Sequence, residues 1–185
     1  INITSNAFSS VNAPDIVVGN YYEIRSVGTT NFVAIGASAN TVGVQFVATG
    51  VGTGTGVVFD PAVPSVATCI TITDERFLMA FGCNEAIKGS LTQNPMYVAW
   101  CAQENPQVWY PQITNSAGDF TLAYGSRIIT IEKTRQEILI WTDAALYSMQ
   151  YIGAPYQYSF NPISVDVTIV SQNAMATAAG VTYWM

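Results

Sequence analysis

Nowhere in this sequence do apolar residues recur at the 3.6-residue spacing of a long helix. They alternate instead, and glycine, proline, asparagine or aspartate interrupts the alternation every few residues. That pattern points to an all-β fold. Period two predicts strands over 21–27, 42–50, 57–60, 69–73, 76–82, 96–102, 127–133, 137–142, 145–153, 165–171 and 179–185. Asp74-Glu75 reads as a tight two-residue hairpin connection. Turns at "TRQ" and at Asp143-Ala144 make a meander of three strands, with the Asp143 side chain capping its own turn. The stretch "SQNAMATAAG" (171–180) fits either one helical turn or a small-residue strand.

Pro61 and Pro64 divide the chain. The segment before them is rich in glycine, threonine and valine, whereas Trp100, Trp109, Trp141 and Trp184 all lie beyond. The second part repeats itself loosely. "RFLMAFG…MYVAWCAQENPQVW" and "EILIWTDAALYSMQY" share one order of strand, aromatic-ended strand, polar turn and strand, and "GVTYWM" opens a third copy. A spacing of about 40 to 50 residues is that of one four-stranded propeller blade. Stacked blades also explain why "EILIW" and "RFLMAF" are apolar on both faces. The expected organisation is a leading segment (1–19), an inserted Gly/Thr-rich β-module (20–60) and an incomplete, partly propeller-like domain of antiparallel blades (61–185). The opening at Ile1 and the ending in "GVTYWM" suggest a piece of a longer polypeptide.

The run "GVGTGTG" (50–56) raises the question of a phosphate loop. A dinucleotide loop needs G-x-G-x-x-G opening a helix, but here "VVFDPAVP" follows, and a Walker loop would need a lysine nearer than Lys88. Gly52, Gly54 and Gly56 read instead as a hairpin joining "VQFVATG" to "TGVVFD", bare enough for another backbone to approach closely.

Half of the 185 residues are hydrophobic, 10% are charged, and mean hydropathy is +0.28. No apolar run approaches the ~20 residues of a membrane helix, so no membrane insertion is expected. A surface largely covered by neighbours, in a subunit of an assembly, accounts for the low charge. The net charge of -6 and a pI near 4.3 disfavour sequence-directed DNA binding. Such acidity suits either a conduit that DNA slides through without sticking or ordinary solubility. Arg25, Arg76, Lys88, Arg127, Lys133 and Arg135 are the only bases.

Without histidine, neither a Ser-His nor a Cys-His nucleophile pair can be built. Cys69, Cys83 and Cys101 are odd in number and lack a C-x-x-C, which favours buried thiols over disulfides or zinc. Asp74 and Glu75 are adjacent and point apart, so they make a poor catalytic acid pair. No catalytic, cofactor-binding or metal-binding residue is singled out, and no enzyme is expected. The aromatics Trp100, Trp109, Tyr110, Trp141, Tyr147, Tyr151, Tyr156 and Tyr158 leave two readings open. They are a sugar-stacking platform, or they pack between blades with Trp100, Trp141 and Trp184 buried.

The stretches "YVAWCAQENPQVW", "AGDFTL" and "LIWTDAALYSMQYIG", with the closing "GVTYWM", resemble a family of short-tailed bacteriophage tail proteins. These are the tail-nozzle, tail tubular or packaged-DNA stabilisation proteins, and the likeness covers about residues 69 to 185. Cys101-Ala102 stands where a serine-aspartate is common in such sequences, which puts a turn cap there in doubt. The earlier stretch "NYYEIRSVGTTNFVAIGASANTVGVQFVATGVGTGTGVV" is similar to a small β-module inserted in phage structural and tail proteins. The resemblance implies a homo-oligomeric ring in the virion tail, usually a hexamer. Its partners would be adaptor, fibre or spike proteins, and phage DNA would pass through it transiently. The rival reading is a receptor-binding tail module that recognises host glycans.

Overall fold

The computed structural model describes residues 10–185, and among them every regular element apart from three short 3-10 turns is a β-strand. The all-β class read from the sequence is the class of the fold. Part of the expected leading segment, residues 1–9, lies outside the described residues.

The first sheet unit is a small module of β1 (Val11–Asn12), β2 (Tyr21–Ser26), β3 (Gln45–Val47) and β4 (Val57–Phe59), antiparallel in the order β1-β4-β2-β3. Two expectations are corrected here. Val11 pairs with Val58, so the module's sheet takes in residues ahead of 20. And β2 lies between β3 and β4, so the glycine run is a crossover loop and not a hairpin. The expected close approach is present. A Cβ on Gly52 would lie 2.8 Å from the Ala13 carbonyl oxygen, and one on Gly56 would lie 2.6 Å from the Phe32 ring. Threonine hydroxyls fasten the loop. Thr55 donates its N–H to Thr29 Oγ1 (3.1 Å) and Gly56 donates to Thr30 Oγ1 (2.9 Å). Beneath lies a separate core that includes Tyr22, Ile24, Phe32, Phe46 and Val58.

Beyond the prolines come two four-stranded antiparallel meanders. The first joins β5 (Cys69–Ile72), β6 (Leu78–Phe81), β7 (Tyr97–Trp100) and β8 (Gly118–Thr121) in chain order. The second joins β9 (Ile128–Lys133), β10 (Ile138–Thr142), β11 (Ala145–Gly153) and β12 (Gln157–Val165). A two-stranded hairpin follows, β13 (Met175–Ala178) with β14 (Val181–Trp184). The sequence repeat maps onto equivalent places: β6-β7 and β10-β11 are the central pairs of the two meanders. The strand alternative for 171–180 is the one realised.

The sheets are stacked one on the next. Met79, Phe81, Val98 and Trp100 of the first meander share a core with Ile138, Ile140, Tyr147 and Met149 of the second. The opposite face of the second meander offers Leu139, Trp141 and Leu146 to Ile169 and to Met175 of the hairpin. On its other face the first meander buries Ala80, Tyr97 and Ala99 under Ala62, Ala67 and Trp109. Each meander is thus covered on both sides, the second by the sheets that flank it and the first by the second meander and by the 62–67 linker with its own β7–β8 loop. Their central strands are apolar on both faces for this reason.

Several strand expectations change. The connection between β5 and β6 is a three-residue loop, not two: Arg76 donates its N–H to the Thr73 carbonyl, Thr73 donates to Phe77, and Arg76 sits at φ 67. The segment 165–171 is not a strand beyond Val165, because Asp166 at φ 61 breaks the alternation. β12, absent from the expectation, contains Pro162. It is tolerated because β12 is an edge strand and Pro162 stands at a register shift against β11. The unexpected β8 begins at Gly118, where a Cβ would run into the Trp100 ring. Trp100 and Trp141 are buried as expected, but Trp184 is 41% exposed, since its hairpin has a neighbouring sheet on one side alone.

Candidate functional site

The aromatic residues do not form a platform. Trp100, Trp109, Trp141, Tyr147 and Tyr158 are buried within the stack. Tyr110 stacks on Tyr21 of the module with ring centroids 4.1 Å apart. Of the eight aromatics singled out in the sequence, Tyr151 and Tyr156 are exposed, and Phe120, Tyr124, Tyr183 and Trp184 are exposed elsewhere. The packing alternative for the tryptophans is realised for Trp100, Trp109 and Trp141.

The acids are structural where their partners are visible. Asp74 pairs with Lys133 at 2.6 Å. Asp143 does not cap its own turn. The Thr142 hydroxyl does so, accepting from the Ala144 and Ala145 N–H groups at 3.2 and 2.8 Å. The Asp143 carboxylate instead accepts from the Ser126 hydroxyl and N–H and from the Arg127 N–H, contacts that hold its pKa below the ordinary value. Asn105 caps the turn that follows the Cys101-Ala102 position, its Oδ1 accepting the Gln107 N–H at 3.1 Å.

The three cysteines are free thiols. Cys83 and Cys101 are buried and Cys69 is half-buried. Burial raises all three, Cys83 to about 12, so the nucleophilic thiolate is scarce at neutral pH. Among the described residues no group of three or more Cys, Asp or Glu could hold a metal ion. No helix among them is long and apolar enough to cross a membrane.

At least three of the six bases are matched by carboxylates at contact distance: Arg76 with Glu104 (2.6 Å), Lys88 with Glu85 (2.7 Å) and Lys133 with Asp74. Exposed pairs add little stability, but they leave less free positive charge for a phosphate backbone.

A polar cleft of about 270 Å3 opens where the module meets the 105–108 loop of the first meander. Asp60, the residue after β4, is 5% exposed and lines it. Its Oδ1 accepts from the Ala62 N–H and its Oδ2 from the Trp109 N–H, both at 2.8 Å, so one carboxylate ties the module's exit to the meander. Burial lifts the Asp60 pKa, and the N–H groups of Trp109 and Ala62 draw it partly back. The sequence reading passed over Asp60, although an aspartate before proline is a turn-capping signal. It passed over Asn84 too. That buried amide accepts from Ser65 and Val66 and donates to Ser90, with no local motif to give it away. No protein-family model matches the chain, and no curated protein is significantly similar to it.

Proposed function

We propose that the chain is a structural subunit of a bacteriophage tail, in the nozzle or hub ring that retains packaged DNA and conducts the genome at ejection. The observation that carries this reading is the serial stack of two four-stranded antiparallel meanders and a hairpin, each meander covered on both faces. A partial propeller of such blades is what the loose sequence repeat of about 40 to 50 residues leads one to expect, and the ring is what the resemblance of residues 69–185 implies. The net charge of -6 and the pairing of at least half the bases support a conduit in which a polyanion slides freely. The role is structural rather than catalytic, in a homo-oligomeric ring next to adaptor and fibre or spike proteins.

Native mass spectrometry and electron microscopy of the purified protein test the ring, with a hexamer as the expected species. A strict monomer at high concentration would remove the support for it. A mobility assay tests the conduit. Each phosphate contact steepens the salt slope of log K by about 0.9, so weak DNA binding with a shallow slope is expected, and tight, steeply salt-sensitive binding would recast the protein as a clamp.

A further inference from the structure

The cleft between the module and the first meander is a built polar site that neither the stack nor the tail assignment uses. Its walls come from both units: Asn20 and Tyr21 from the module, Asp60 from the junction, and Asn105 and Gln107 from the meander, with Asp15 also lining it. Small-molecule sites favour such junctions between units. The lining contains carboxylates, amides and hydroxyls but neither lysine nor arginine. Arg25 stands behind the wall, donating to the Ser10 hydroxyl at 3.0 Å, so an anionic ligand would meet two carboxylates directly and a cation only through that hydroxyl.

The donors and acceptors narrow the choice further. Carboxylates only accept, whereas amide side chains both donate and accept. Asn105 uses its carbonyl on the Gln107 N–H, which leaves its NH2 group as a donor. Both Asp60 oxygens are fixed by backbone N–H groups and keep lone pairs for further donors. An ammonium or guanidinium would suit the carboxylates but oppose the amide donors, because it has no acceptor. A hydroxyl donates and accepts at once, so it matches both kinds of wall. At about 270 Å3 the cleft lies just below the ~300–1,000 Å3 common for ligand sites, a size for one ring rather than a long chain. We propose that this cleft binds a neutral sugar residue, with Asp60 as fixed acceptor and Asn20, Asn105 and Gln107 as the amides that select it.

Saturation-transfer NMR on the intact chain tests this with the methyl glycosides of glucose, galactose, mannose and N-acetylglucosamine. Methyl glucuronide and N-acetyl-arginine methylamide serve as charged comparisons. At least one neutral glycoside should bind in the millimolar range, at least tenfold more tightly than the glucuronide. Gln107→Ala and Asn20→Ala should each weaken that binding at least tenfold while the thermal melting curve stays in place, since neither side chain hydrogen-bonds another of the described residues. The proposal is overturned if no neutral glycoside binds at 50 mM ligand (roughly fifty times a millimolar Kd, where occupancy would be near complete). It is equally overturned if binding survives both substitutions, or if the arginine derivative alone binds.

Discussion

The module and the stacked meanders solve the same packing problem in opposite ways. The meanders fill their shared core with volume: Phe77, Phe81, Trp100, Ile140 and Tyr147 interlock, and Trp141 is wholly enclosed on the next face. The module brings backbones together by omission. Gly52, Gly54 and Gly56 lie where any side chain would strike Ala13, Thr29 or Phe32, and threonine hydroxyls take up N–H groups where the chain passes. The meanders should lose most from deleted core atoms, and the module's crossover from added ones.

The sharpest way to break that contrast is Trp141→Ala. Emptying a fully buried tryptophan should lower stability by about 3–5 kcal/mol and free the β13-β14 hairpin, which meets it through Trp184 at 5.7 Å. Urea denaturation would record the loss of stability, and hydrogen exchange over residues 175–184 the freed hairpin. Next comes Gly56→Ala. Its new methyl would lie 2.6 Å from both the Phe32 ring and Thr30 Oγ1, a strain of about 3 kcal/mol. Hydrogen exchange should show the loss confined to residues 11–59. If this added methyl were neutral, the omission account of the module would be wrong.

Asp60→Asn probes the seam between the regions. The asparagine keeps one acceptor but turns a donor toward an N–H, at a cost of about 1–2 kcal/mol. The sign of the pH effect is fixed by the raised carboxyl. The folded protein holds the Asp60 proton more tightly than the unfolded chain does. The Asp60 contribution to stability is therefore full below the ordinary aspartate pKa of 3.8 and falls as pH rises from there through the raised folded value. The difference in urea midpoint between wild type and Asp60→Asn should shrink across that window, and a difference that grew with pH would reverse the assignment. The smallest effect belongs to Thr55→Val, which removes a hydroxyl that accepts from the Thr29 N–H at 3.2 Å. About 0.5–1 kcal/mol is expected because the site is exposed, again measured by urea denaturation.

How much of this the sequence disclosed depended on whether alternation survived. β2, β5 and β9 were legible from period two, and β10 and β11 as short apolar runs bounded by turn signals. β12 was hidden by Pro162, whose tolerance rests on an edge position that only the assembled sheet defines. The glycine run disclosed its close contacts but not its route, since chain order says nothing of β2 lying between β3 and β4. The cleft was illegible for a related reason. Asn20, Asp60 and Gln107 lie far apart in the chain and carry no shared spacing, so only the docking of module on meander brings them to one wall.

The two connectivities also set different clocks for folding. In the meanders every strand pairs with the one just made, so each sheet can zip up hairpin by hairpin as the chain emerges. The module cannot close that way: β1 waits for β4, Val11 for Val58, and the whole glycine crossover must be threaded in between. Loop-closure entropy should therefore make the smaller unit the slower one. Refolding watched by stopped flow would then show tryptophan burial in the meanders running ahead of Tyr21-Tyr110 contact, with the sugar-sized cleft assembled last.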